Sequence, residues 1–112
     1  MEFRNDKPIY VQISDNVCNR ILNGEIAPGE RIDSIREYSA AIQVNPNTVA
    51  RSYELLSSRG VIRNQRGIGY FITDNAMETI KENEREIFIK EELPAFMQRA
   101  ELLGINLKNY IK

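Results

Sequence analysis

The side chains able to do chemistry in this 112-residue chain are guanidinium, amide, hydroxyl and carboxylate groups, because histidine is absent and cysteine occurs once, at Cys18. Without histidine the usual general base near neutral pH is missing, and so is the Ser–His or Cys–His nucleophile pair. One cysteine forms no internal disulfide and no cysteine-based zinc site. Carboxylates remain, and their densest cluster is Glu82, Glu84 and Glu86. Alternating placement scatters these three around a solvated helix instead of pairing them for acid–base work. An enzyme is not expected, and neither is a metal or cofactor. Polar recognition is the chemistry left over, and its charge is concentrated. Net charge is −1, yet from Arg36 to Arg66 five arginines face two acids, Glu37 and Glu54, a local +3. Beyond Ala76 six basic residues meet seven acidic ones. A basic middle of this kind suits a polyanion.

The elements that must position these groups can be read from periodicity and caps. Ile9, Ile13, Val17 and Ile21 recur every four residues, with Tyr10 and Leu22 widening the stripe and Gly24 as a stop, so a helix spans about 8–23. Pro28-Gly29 supplies a tight bend. Ser34-Ile35-Arg36-Glu37 has the form of a capping box, so a second helix starts at Ile35 and buries Ile35, Tyr38 and Ile42 before ending near Gln43-Val44. Asn45-Pro46 is a second start, with asparagine as N-cap and proline as first helical residue. The third helix runs from Pro46 to Arg59, with Val49, Tyr53 and Leu56 inward and Asn47, Thr48 and Arg51 on the opposite side, and Gly60 closes it. Two helices joined by a three-residue link, the second polar at its N-terminal face, outline a helix-turn-helix. Val61-Ile62-Arg63 and Tyr70-Phe71-Ile72-Thr73 are strand-like, and 64–69 joins them as a hairpin, the wing. The fold class is α+β and mostly helical: three helices and a two-stranded wing, then a short two-helix extension.

Pro8-Ile9-Tyr10-Val11-Gln12-Ile13, Ile21-x-x-Gly24, Pro28-Gly29, Ser34-x-Arg36-Glu37, Val44-Asn45-Pro46-Asn47-Thr48-Val49-x-Arg51-x-Tyr53 and Gly67-x-Gly69-x-Phe71 together resemble the GntR family of bacterial transcriptional regulators over residues 8–73. The Asn45–Tyr53 run and the short C-terminal part most resemble the YtrA-type subfamily. The resemblance implies a winged domain that binds double-stranded operator DNA as a homodimer, with the third helix in the major groove and the wing at the minor groove. Two departures stand out. Asp33 replaces the family's usual proline before the cap serine, where an acid can favour the helix dipole or repel phosphate. Tyr38-Ser39 replaces the usual Leu-Ala after the Arg-Glu pair.

Under that resemblance the DNA-binding candidates are Ser34, Arg36, Asn45, Asn47, Thr48, Arg51, Arg66, Gly67 and Gly69. Asn47 can pair with adenine and the Thr48 methyl can pack on thymine, or both can touch phosphate. Arg51 can reach guanine or a phosphate oxygen, or stand as a solvated arginine. Family members place an arginine at Arg36 against the DNA backbone, while a salt bridge is its rival role. Ser34 is first a cap, though a hydroxyl at a helix start can also face phosphate. In the wing, Gly67 and Gly69 are hairpin residues whose missing side chains let the backbone approach a sugar-phosphate edge, and Arg66 probes the minor groove. Tyr38 and Tyr53 are core residues.

Residues 1–75 are the expected DNA-binding domain and 76–112 the expected dimerisation region. In the latter, Met77, Ile80, Ile87, Phe88 and Glu91 mark one helix, and Pro94 interrupts it at a new start. Phe96, Met97, Ala100 and Leu103 mark a second helix that ends at Gly104, and Leu107, Tyr110 and Ile111 lie in a last turn. Such helices bury little alone, so Ile80, Ile87, Phe88, Phe96, Met97, Ala100 and Leu103 are the expected pairing residues. The other arrangement folds them over the winged domain of a monomer. A pseudo-palindromic operator with half-sites about 10 base pairs or one to two turns apart would match two copies. The segment is too short for a separate effector-binding domain, and whether an effector exists is not written in these residues. No stretch is apolar enough for a membrane span and the N-terminus lacks the apolar run of a signal peptide, which implies a cytoplasmic protein with no membrane partner; that it acts as a repressor is what the resemblance implies. The contrasting class is a winged-helix protein-interaction adaptor that no longer binds DNA.

Overall fold

The computed structural model describes residues 1–111. The chain forms helix α1 (Ile9–Leu22), strand β1 (Arg31–Ile32), α2 (Ile35–Ile42), α3 (Pro46–Ser58), β2 (Ile62–Gln65), β3 (Gly69–Ile72), α4 (Ala76–Ile87) and α5 (Leu93–Leu102). A π-helical turn, Phe88–Glu92, lies between α4 and α5, and a 3-10 turn, Leu107–Asn109, follows α5. Two compact units result, Met1–Ile80 and the segment from Lys81 onward.

In the first unit the four-residue stripe of α1 buries Ile13, Val17, Cys18 and Ile21. Helix α3 meets it with Val49, Tyr53 and Leu56. Ser14 and Ser52, both fully buried, face each other across this contact, with hydroxyl oxygens 2.8 Å apart. Small side chains bring the two helices close, and bonding the hydroxyls to each other removes the cost of burying them. The Pro28-Gly29 bend forms as expected: Gly29 has φ +84, and the Glu30 N–H donates to the Ala27 carbonyl at 3.0 Å. Directly after it comes β1, which the sequence reading missed because two residues carry no periodicity.

The box at α2 is complete. The Glu37 N–H donates to Ser34 Oγ and the Ser34 N–H to Glu37 Oε1, both at 3.0 Å. The bond from the Ser34 backbone N–H, and after it the Ser34 hydroxyl, hold the exposed Glu37 carboxyl below its ordinary value. Helix α2 ends on Gln43, whose φ of 56° is left-handed and bends the chain sharply toward α3. At α3 the Asn45 side chain accepts from the Asn47 N–H at 2.8 Å, and Pro46 takes the first turn. Its far end closes on Gly60, with φ +79 and a Val61 N–H to Leu56 carbonyl bond of 3.0 Å.

The sheet is antiparallel in the order β1-β3-β2, so the wing carries a third strand at its base. Arg31 and Arg63 both lie opposite Phe71, while Ile32 and Asn64 lie opposite Tyr70. Alternation therefore puts the arginines on one face, and Tyr70 on the other, where it meets Tyr53 edge-on at 4.9 Å. The strands extend further into the hairpin than expected, leaving 66–68 as the connecting loop.

Two expectations need correction. Ile80 is 2% exposed in the core of the first unit, together with Ala76, because the first turns of α4 complete that core. A side chain already withdrawn from water has almost no area left to bury against a partner, so Ile80 is a core residue of the winged unit. Pro94 does not break the helix. It sits in the first turn of α5, and the preceding turn widens so that the Leu93 N–H reaches the Phe88 carbonyl five residues back. Proline has no N–H and its ring would strike the carbonyl four residues earlier in a regular helix; the π turn is the adjustment.

Candidate nucleic-acid interface

Asn47, Thr48 and Arg51 emerge on one side of α3, where the cap at Asn45 starts the helix and the inner stripe turns the opposite side into the core. Together with Pro8, Ile9 and Tyr10 they line one open surface concavity of about 530 Å³. Helix α1 thus contributes the second wall. The Arg51 guanidinium carbon lies 4.2 Å from the centre of the Tyr10 ring, a cation–π contact. Tyr10, placed on the apolar stripe of α1 by its spacing, therefore also belongs to this polar face. No local signal could have revealed that, since the contact joins residues 41 positions apart.

Asn45 spends its side-chain oxygen on the cap, which leaves its amide N–H groups for anything outside. Ser34 likewise accepts the Glu37 N–H, so its hydroxyl proton is what it can offer. Arg36 is exposed in the first turn of α2, and no salt bridge among the described residues engages it. Arg66 and Gly67 are exposed at the tip of the wing, where Gly67 has φ +78.

Gly69 departs from expectation. An added Cβ there would come within 2.8 Å of Arg31 Nε, so in this structure the end of the exposed Arg31 side chain lies over this glycine. Arg31 is a basic group at the base of the wing that the sequence reading did not single out, because its place depends on the undetected strand β1. Arg63, on the same sheet face, lies 5.5 Å from the Phe71 ring centre.

Behind this surface Tyr38, Tyr53 and Tyr70 pack together. Tyr53, 2% exposed, donates its hydroxyl proton to the Asp33 carbonyl at 2.7 Å and so ties the corner before α2 to α3. Tyr38 stacks on it at 6.3 Å. Burial pushes both phenols above their ordinary range, so both stay neutral. At Asp33 the backbone carbonyl makes the tie, which any residue type can supply.

Of the expected pairing residues in the second unit, Ile87, Phe88, Phe96, Met97 and Leu103 are exposed, Phe96 at 59%. Ala100, by contrast, is 7% exposed and has almost no area left to bury against a partner. Leu102, Ile105, Tyr110 and Ile111 extend the uncovered apolar surface. Glu82, Glu84 and Glu86 are exposed. No helix among the described residues is long and apolar enough to cross a membrane.

Residues 9–72 match the family model described as bacterial regulatory proteins, gntR family. The chain is similar to the HTH-type transcriptional repressor YtrA of Bacillus subtilis, 36% identical over 105 residues, covering 94% of this chain and 80% of that protein. It is also similar to the uncharacterized HTH-type transcriptional regulator YhcF of the same organism, 32% identical over 111 residues, covering 99% of this chain and 90% of the other. Among solved structures, a putative GntR-family transcriptional regulator from Bacteroides thetaiotaomicron superposes with a TM-score of 0.79 at 44% identity, covering 92% of this chain and 89% of that one.

Proposed function

This chain belongs to the GntR family of bacterial regulatory proteins, and from that premise we propose that it is a cytoplasmic repressor that binds a pseudo-palindromic operator as a homodimer. It is a helix-turn-helix transcriptional regulator and not an enzyme. In the proposed complex α3 enters the major groove, with Asn47, Thr48 and Arg51 toward base edges or phosphates, while Arg36 takes the backbone and Arg66 the minor groove. The observation that carries this reading is the shared outward face of Asn47, Thr48 and Arg51, with no hydrogen bond or salt bridge within the described chain holding the Arg51 guanidinium. Such a donor set is matched to a polyanion. The adaptor reading has no comparable feature behind it.

Two copies are proposed because one winged unit presents one recognition helix, and because the segment from Lys81 leaves Phe88, Phe96, Met97 and Leu103 uncovered. A second copy of the same segment would remove that apolar area from water. The reading unit then runs to Ile80 and the pairing segment begins at Lys81. The name of the Bacillus subtilis YtrA relative, a repressor, supports the direction of regulation.

The test is binding to DNA fragments that the protein itself selects from a double-stranded library. Arg51→Ala should weaken specific binding by about 1–3 kcal/mol, and affinity should fall steeply as salt rises. Salt-insensitive binding, or no selected sequence at all, would favour the adaptor.

A further inference from the structure

We infer that Tyr10, at the start of α1, is a positioning residue for Arg51, an inference that rests on the reading of Arg51 as a DNA contact. The guanidinium carbon sits 4.2 Å from the ring centre, so the cation lies over the negative face of the ring. A guanidinium held over a ring face need not spend its N–H groups on that contact, and those groups are what bind guanine or phosphate. An arginine so held has already lost much of the rotamer freedom that an unsupported one gives up on binding.

The backbone that carries the ring is held in place. One turn along α1, Ser14 Oγ lies 3.0 Å from the Tyr10 carbonyl and 2.8 Å from Ser52 Oγ, and Ser52 is the neighbour of Arg51 in the chain. The buried serine pair therefore fixes the register of α1 against α3 at the level where Tyr10 meets Arg51. The segment leading into α1 is tied as well: Gln12 Nε2 donates to the Arg4 and Lys7 carbonyls at 2.7 and 2.8 Å, and the Arg4 N–H returns a bond to Gln12 Oε1 at 2.8 Å. Pro8, Ile9 and Tyr10 thus form a fixed wall beside Asn47, Thr48 and Arg51. In this arrangement α1 acts on recognition through one arginine.

A double-mutant cycle tests this, with Tyr10→Phe, Tyr10→Leu, Arg51→Ala and Tyr10→Leu/Arg51→Ala. Each is measured by fluorescence anisotropy against a double-stranded fragment selected by the wild-type protein from a random library, at a temperature where melting curves show every variant folded. Tyr10→Phe keeps the ring face and should bind within about twofold of wild type, whereas Tyr10→Leu should bind about fivefold more weakly. In the Arg51→Ala background, Tyr10→Leu should cost nothing further. Tyr10→Leu binding like wild type overturns the inference, and so does an equal loss with and without Arg51, which would mean the ring acts independently. If Arg51→Ala itself binds like wild type, the reading of Arg51 as a DNA contact fails and the positioning role falls with it; an intact Arg51 effect with no coupling to Tyr10 overturns the positioning role alone.

Discussion

Ile80→Ala and Phe96→Ala should fail in opposite ways, although both residues mark apolar helix positions near the C-terminus. Ile80 is 2% exposed in the winged unit, so its truncation removes a methylene and two methyl groups from a closed core. At about 0.8 kcal/mol of transfer energy per group, with a cavity contribution added, the loss is about 3 kcal/mol. For an 80-residue unit that corresponds to a melting temperature lowered by roughly 12–24 °C. Phe96 is 59% exposed, so its truncation leaves the winged core untouched and removes area that the proposed second copy would cover. Circular-dichroism melting of both variants at high and low protein concentration, with sedimentation velocity beside it, separates the two effects. Ile80→Ala should melt early at both concentrations. Phe96→Ala should melt like wild type at high dilution, and its dimer should dissociate at a higher concentration than the parent's. If Ile80→Ala melted like wild type but sedimented as a monomer, the assignment of Ile80 to the core would be wrong. A Phe96→Ala variant that sedimented like wild type would remove this face from the proposed interface.

Ser34→Ala should destabilise the winged unit by about 1 kcal/mol in urea titrations at pH 7, since it removes the cap acceptor at α2. The carboxyl of Glu37 is depressed in the folded chain, so its contribution is present above its unfolded pKa and lost as pH falls through the lower folded value. The stability gap between wild type and Glu37→Ala should therefore narrow as pH falls through the acid range, and a gap that widens there would contradict the capping box as the source. Gln43→Val places a β-branched residue at a φ of 56° and should cost about 1–2 kcal/mol, while Gln43→Gly should change stability much less. Equal melting temperatures for the two variants would show that the bend after α2 relaxes.

Most of the helical framework was legible because its signals are local. The capping box, the Asn45-Pro46 start, the Pro28-Gly29 bend and the terminating glycines each act within a few residues, so side-chain type alone reports them. The face carrying Asn47, Thr48 and Arg51 could be read in the same way, because helical periodicity that places Val49, Tyr53 and Leu56 inward turns the other side out. Strand β1 could not be read. Two residues make no pattern, and Arg31-Ile32 becomes a strand only because β3 is there to pair with it.

The sequence by itself determined where the first three helices begin and end, which side of α3 faces outward, the wing and the family. Tertiary structure alone decided what each boundary residue does. Ile80 fits the apolar spacing of a pairing helix and of a core helix equally well, and only the packing of α4 distinguishes the two. Gly69 reads as an open approach until Arg31 arrives from another strand to cover it. Tyr10 reads as apolar stripe until α3 brings Arg51 over its ring. The physical reason is common to all three. Periodicity and caps are set by neighbours in the chain, whereas burial, close approach and ring stacking are set by residues distant in sequence, whose positions exist only once the chain has folded.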